Sequence, residues 1–249
     1  MSHLATTLAA TIHDVDGRLV PAIYRLAPAL REVFAGIALN VSDATPAEVA
    51  AAAREQLGAA TMVHAQGEAV IGRARRDAVR LALAAPALQI LYSDFDHALR
   101  WIEGAPDELR ATLVIQPEAA LLVVGRSPRA FAAEPRRLQD TERVVNHIYA
   151  LMTGRDWDLM AAIRRLSRPA AESIVAGSTV DTLANDVEWP LLAERQGLTL
   201  GYATSDAFHY RRMEEFGAPA DTGDADPANW IKRLEYAAAH VAAMRPFLR

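Results

Sequence analysis

Ala87-Leu-Gln-Ile-Leu-Tyr-Ser-Asp-Phe-Asp96 reads as a short apolar strand over 87–92 that runs into two aspartates separated by one residue. Ligands of open α/β sheets bind beyond the carboxyl ends of the strands, and Asp94 and Asp96 fall at such an end. Two carboxylates one residue apart in an extended or turning segment can face a single hard cation, which in turn bridges a diphosphate. The plainer reading of the same letters is a solvated turn, with Asp96 capping a helix that begins at His97.

Toward the N-terminus, short apolar runs alternate with longer amphipathic stretches, the pattern of helices packed on a mostly parallel sheet. Residues 8–12 form a first strand, His13-Asp-Val-Asp-Gly17 a turn, 19–34 a helix and 37–41 a second strand, which together make one βαβ unit. Thr45 suits the cap and Pro46 the first helical position of a helix reaching about Leu57. A third strand over 61–64 and an arginine-bearing helix over 71–84 then lead into 87–92, so the aspartate pair follows the fourth strand.

Toward the C-terminus, the pattern predicts a helix from 97 to 102, strands at 111–115 and 120–124, a turn at Gly125-Arg-Ser-Pro128 and a helix over 134–151. The stretch 156–167 fits either helix or strand. Pro169 opens a helix over 168–177, Gly197 closes one over 186–196, and 198–202 is a late strand. A Gly/Asp/Pro-rich acidic stretch, 217–227, reads as a mobile surface loop before a final helix over 228–244. The expected fold class is α/β: a single Rossmann-like domain over 1–216 with a mostly parallel central sheet flanked by helices. Residues 217–249 add a loop and a C-terminal helix. That helix carries Trp230, Leu234, Tyr236 and Val241 and packs on the domain or on a partner subunit, so a homodimer is one expected state.

The chain has 249 residues, 51% of them hydrophobic, enough for a sizeable core. A net charge of -5 provides no basic excess for a phosphate backbone, so nucleic acid is not an expected partner. No apolar run reaches the roughly 20 residues of a bilayer span, and the first residues lack the form of an export signal, so the expected location is cytoplasmic. With no cysteine, there is no disulfide, no thiolate nucleophile and no cysteine-ligated zinc; a metal would sit on carboxylates or imidazoles. Lys232 is the only lysine among 26 basic residues, which disfavours mechanisms needing a lysine in the main domain.

Two later segments add specificity: Asn185-Asp-Val-Glu-Trp-Pro-Leu-Leu192, which opens a helix, and Gly197-Leu-Thr-Leu-Gly-Tyr202. An Asp-x-Asp after the fourth strand, a second acidic motif opening a helix and a strand of this form resemble the GT-A glycosyltransferases of the family 2-like, nucleotide-diphospho-sugar transferase superfamily. The resemblance spans about residues 7 to 216. It implies Mn²⁺ or Mg²⁺ at the Asp-x-Asp, a nucleotide-diphospho-sugar donor over the first half of the sheet, and a small-molecule or glycan acceptor near the second acidic motif. Carried over by position, Asp94 and Asp96 are the metal ligands, with Asp94 also touching the donor. Asp186 and Glu188 are the catalytic pair, either general base or sugar-orienting carboxylate. His209 matches the histidine that some retaining members, mannosylglycerate synthase-like proteins among them, supply to the metal; it tilts the expectation toward retention. Asp14 and Asp43 would meet the base or ribose, and Arg73 or Arg76 the diphosphate, aided by a helix N-terminus.

Each assignment has a structural counterpart: turn-forming aspartates, an exposed basic helix face, a surface histidine. Trp157 and Trp189 are read as packing residues rather than sugar platforms. His13-Asp-Val-Asp16 replaces the family's more usual Pro-x-x-Asn-Glu, which keeps open a chain of this shape that binds without catalysing. Tyr92-Ser-Asp-Phe-Asp-His-Ala98 also resembles the nucleophile motif of haloacid dehalogenase-type phosphatases. In that family, however, the motif sits on the first strand and a downstream lysine is usual.

Overall fold

The computed structural model describes residues 6–208 and 221–248. Its strands are β1 (Thr6–Ile12), β2 (Gly36–Ser42), β3 (Ala60–His64), β4 (Gln89–Asp94), β5 (Leu121–Arg126), β6 (Ile163–Ser167) and β7 (Leu200–Ser205). They form one sheet in the order β3-β2-β1-β4-β6-β5-β7, parallel throughout except for β6, which runs antiparallel to both β4 and β5. The helices are α1 (Val20–Val33), α2 (Ala47–Leu57), α3 (Ile71–Ala82), α4 (Phe95–Gly104), α5 (Pro106–Val114), α6 (Pro128–Ala132), α7 (Arg136–Thr153), α8 (Arg168–Gly177), α9 (Asn185–Arg195) and α10 (Pro227–Met244). The fold is thus α/β with a mostly parallel sheet, as the alternation of patterns predicts.

Successive side chains of a strand point to opposite faces, and the core divides accordingly. On one face Leu8, Ala10, Ile12, Leu39, Val41 and Leu91 pack under α1, α2, α4 and α5. On the other, the small side chains Ala9 and Ala38 lie under Ala78, Val79 and Ala82 of α3, while Ile90, Tyr92, Leu121 and Val123 meet α7, α8 and α9. Alanines at 9 and 38 let α3 lie close to the sheet, close enough for Asn40 Nδ2 to donate to the Ala74 carbonyl at 2.9 Å.

Several expectations need correction. Residues 111–115 are not a strand. Pro106 begins α5, Asp107 and Glu108 occupy its first turn, and Leu109 and Leu113 bury at helical spacing; these start signals upstream override the β-branched run Thr112–Ile115. Within 156–167, strand wins at its end, since β6 fills the slot between β4 and β5. Thr45 does not cap α2. Pro46 flanks the helix with extended geometry, and the Thr45 hydroxyl receives the Asp14 amide instead. Part of the acidic loop is held rather than mobile. Asp224 accepts from the amides of Arg136 and Arg137 at the start of α7, and Arg137 donates to both Asp221 and Asp224. Residues 217–220 lie outside the described residues.

α10 packs against α7 and α9, burying His240 and Met244 and leaving Ile231 and Leu234 exposed. Among the described residues no helix is long and apolar enough to cross a membrane.

Candidate functional site

Because β3, β2, β1 and β4 are parallel neighbours, their carboxyl ends share one edge of the sheet, which brings together His64, Ser42, His13 and Asp94. Asp94 closes β4 opposite Thr11 in register. Its Oδ1 accepts from Thr11 Oγ1 and from the Tyr92 hydroxyl, both at 2.8 Å, so Oδ2 is the oxygen left for another partner. Asp94 is flanking residue to α4, whose first turn holds Asp96; the Asp94 side chain makes no capping bond there. Asp96 does not cap a helix at His97, because α4 already begins at Phe95, and its carboxylate pairs with Arg100 one turn later at 3.2 Å. The two aspartate side chains are 31% and 42% exposed, open enough to receive a ligand.

Asp186 and Glu188 lie in the first turn of α9, and both side chains are enclosed. Asp186 Oδ1 accepts from Arg75 Nη1 at 3.0 Å, with Arg164 Nη2 4.0 Å away, while Oδ2 faces His240 Nε2 at 3.8 Å. Burial pushes this carboxyl up, but Arg75, His240 and Arg164 more than reverse the effect and hold it at about 2. Glu188 ties down the loop before α9: it accepts from Ser178 Oγ at 2.5 Å, the Thr179 amide at 2.7 Å and the Val180 amide at 3.1 Å. Gly72 lets that loop close over the start of α3, since a Cβ there would sit 2.3 Å from the Thr182 carbonyl oxygen. Arg76 is buried in the same junction, donating to the Val180 carbonyl at 2.6 Å and to Asp181. Arg73, on the outer side of the same helix, is exposed.

Asp14 binds its own turn: its oxygens accept from the amides of Arg18 at 2.9 Å and Leu19 at 2.8 Å. Asp43 is exposed and accepts from the Gln66 amide at 2.9 Å. Beside it, His13 Nδ1 lies 3.0 Å from Ser42 Oγ. His64 Nδ1 donates to Asn40 Oδ1 at 3.1 Å, the amide being oriented by its bond to Ala74. Burial pushes the His64 pKa below its ordinary value, which favours a neutral ring with Nε2 as a free acceptor. His209 lies outside the described residues.

Residues that sequence reading passed over hold this edge together. Tyr92 and Thr11 orient Asp94, and Arg75 connects Asp94 to Asp186. At the end of β5, Arg126 is buried among Asp158, Glu134 and Glu142, and Arg233 of α10 joins through Glu142. The tryptophans pack as expected: Trp157 stacks on Tyr202 with centroids 5.2 Å apart, and Trp189 meets Tyr92 edge-on at 5.6 Å.

A hard divalent cation takes oxygen ligands, and the donor set here is carboxylate only. Among the described residues no cluster of three or more histidine, aspartate or glutamate side chains forms a complete cage. Asp94 Oδ2 and the Asp96 carboxylate, on partly exposed side chains, are the oxygens at this strand end that could hold such a cation.

No family model matches the chain, and no curated protein does. Solved structures do match. Glucosyl-3-phosphoglycerate synthase from M. tuberculosis superposes with a TM-score of 0.55 at 14% identity, over 93% of this chain and 81% of the other. The fold is GT-A-like. The same enzyme from Mycobacterium tuberculosis in complex with UDP gives 0.53 at 11% identity, over 93% and 80% of the two chains. Its complex with Mn²⁺, UDP and phosphoglyceric acid gives 0.51 at 12% identity, over 92% and 78%. On this GT-A-like frame, Asp94 and Asp96 stand at the carboxyl end of the fourth strand, beside the strand β6 whose direction reverses.

Proposed function

We propose that this chain is a metal-dependent glycosyltransferase that moves a sugar from a nucleotide-diphospho-sugar to a small-molecule or glycan acceptor. The observation that carries the reading is the pair Asp94 and Asp96 at the carboxyl end of β4, both partly exposed, with one oxygen of Asp94 anchored by two hydroxyls and the other 3.6 Å from Arg75. Support comes from the neighbours, whose structures hold UDP with Mn²⁺ or Mg²⁺.

In this reading Asp94 and Asp96 hold Mn²⁺ or Mg²⁺, which when bound offsets the charge of the departing diphosphate. The chain's own residues prepare that edge. Thr11 and Tyr92 fix Asp94, and Arg73, exposed in the first turn of α3 where the helix dipole is positive, is placed for phosphate oxygens. Asp43 and His64, at the ends of β2 and β3, face the nucleoside. Asp14 and Arg76 act from behind, holding the turn after β1 and the loop before α9. Asp186 and Glu188 shape the acceptor side through Arg75 and the 178–180 loop. Retention at the sugar carbon is the outcome proposed, on the sequence position of His209. The exposed Ile231 and Leu234 are the part of α10 left for a second copy.

A second reading has its own observation: Asp186 and Glu188 are both buried and bonded within the chain, which favours a GT-A-like protein that binds a nucleotide without transferring sugar. The phosphatase reading loses ground, because Asp94 lies on the fourth strand with Oδ1 taken by two hydroxyls.

A thermal-shift series of UDP-, GDP- and ADP-sugars with and without Mn²⁺ tests the proposal. Metal-dependent stabilisation that disappears in Asp96→Ala supports it; no shift with any of them refutes it. Binding without hydrolysis or transfer selects the second reading.

A further inference from the structure

Arg75 is shared by two carboxylates on different elements. Its Nη1 donates to Asp186 Oδ1 at 3.0 Å and to Asn185 Oδ1 at 3.0 Å, while its Nη2 lies 3.6 Å from Asp94 Oδ2. The guanidinium is almost fully buried, against the face of Tyr92. Asp186 is enclosed, with Arg164 Nη2 4.0 Å from Oδ1 and His240 Nε2 3.8 Å from Oδ2, whereas the Asp94 side chain is partly open to solvent.

The geometry points to Asp186 as the counter-charge that keeps Arg75 from closing on Asp94, and so as a positioning residue that sets how tightly Asp94 holds a cation. A buried guanidinium needs a carboxylate partner, because an unpaired charge in a dry site is strongly unfavourable. With Asp186 charged, Arg75 has that partner at the shorter distance and in the drier place, where Coulomb attraction is stronger. Asp94 Oδ2 is then only loosely engaged. Without the Asp186 charge, Asp94 becomes the one carboxylate near Arg75 among the described residues, and it meets Arg75 through Oδ2, Oδ1 being held by two hydroxyls. A divalent cation would have to displace the guanidinium. The same chain of contacts runs on to His240, so α10 reaches the candidate metal site through Asp186 and Arg75.

This inference rests on the metal-dependent reading above. Mn²⁺ binding to the full chain, in the presence of UDP and followed by calorimetry or by the Mn²⁺ spin-resonance signal, separates the two. Asp186→Asn is expected to weaken Mn²⁺ binding about tenfold, the scale of one displaced charge interaction. Arg75→Gln is expected to tighten it severalfold, and the double variant to return within about threefold of the parent, since no guanidinium remains to occupy Asp94. A merely structural role for Asp186 would lower stability without this rescue. If Asp186→Asn does not fold, Arg75→Gln decides alone: tighter binding supports the inference, equal or weaker binding overturns it. Unchanged binding in a folded Asp186→Asn, or a double variant as weak as that single one, also overturns it. No Mn²⁺ binding by the parent chain overturns both readings.

Discussion

Tyr92 donates its phenolic hydrogen to Asp94 Oδ1 at 2.8 Å, two residues further along the same strand. Alternate residues of a strand share a face, so the spacing alone brings these side chains together. Burial, and then the Asp94 charge, push the Tyr92 pKa well above 10, which keeps the hydroxyl a donor. Tyr92→Phe keeps the edge-on contact with Trp189 and removes that bond to a charged acceptor. We expect a loss of ~1.5–3 kcal/mol in urea unfolding, together with weaker Mn²⁺ binding.

Arg126 is the hub of the second ion cluster. Its guanidinium and amide bind Asp158 at 2.8–2.9 Å, and it also reaches Glu134 at 3.0 Å and Glu142. Arg126→Met strands buried carboxylates, and chemical unfolding should show a loss of ~3–5 kcal/mol. Burial already pushes Glu142 up against the pull of Arg126 and Arg233, so the loss should shrink in acid as that carboxyl takes a proton.

Asp186 makes stability fall in acid. Its folded pKa, about 2, lies below the ordinary aspartate value of 3.8, so its contribution is complete above pH 4 and disappears as pH drops toward 2. The amount at stake is ~2 kcal/mol. Urea midpoints measured across pH 2 to 5 should fall more steeply for the parent chain than for Asp186→Asn.

Gly72→Ala places a methyl against the carbonyl oxygens of Thr182 and Val180, at 2.3 and 2.7 Å. The 178–182 loop must move, and with it the partners of Glu188 and Arg76. The expected cost is ~1–3 kcal/mol, read by thermal unfolding.

Periodicity places β1 to β4 and the aspartate pair, because those strands are short, mostly apolar runs that alternate with helices along the chain. It failed at 111–115, where Thr112, Val114 and Ile115 imitate a strand and the deciding signals, Pro106, Asp107 and Glu108, lie upstream. The candidate site was half legible. Asp94 and Asp96 declare themselves by spacing, but the role of Arg75 does not, because Gly-Arg-Ala-Arg-Arg reads as a solvated basic face until the first turn of α9, 110 residues further on, is laid against it. Arg126 reads as part of a turn for the same reason. Its partners Glu134, Glu142 and Asp158 are scattered along the following chain and only converge in space.

β6 is the single strand that touches both halves of the sheet: β3-β2-β1-β4 on one side, β5-β7 on the other. The first half is built from neighbours close in the chain and can zip up early. The second can join it only after residues 163–167 have threaded between β4 and β5 from a distance of some seventy positions. Closing a loop of that length adds entropy cost to the step that completes the sheet, and with it the rim shared by Asp94 and the α9 carboxylates. A chain caught before that event would have β1 to β4 paired and β5 and β7 still unattached.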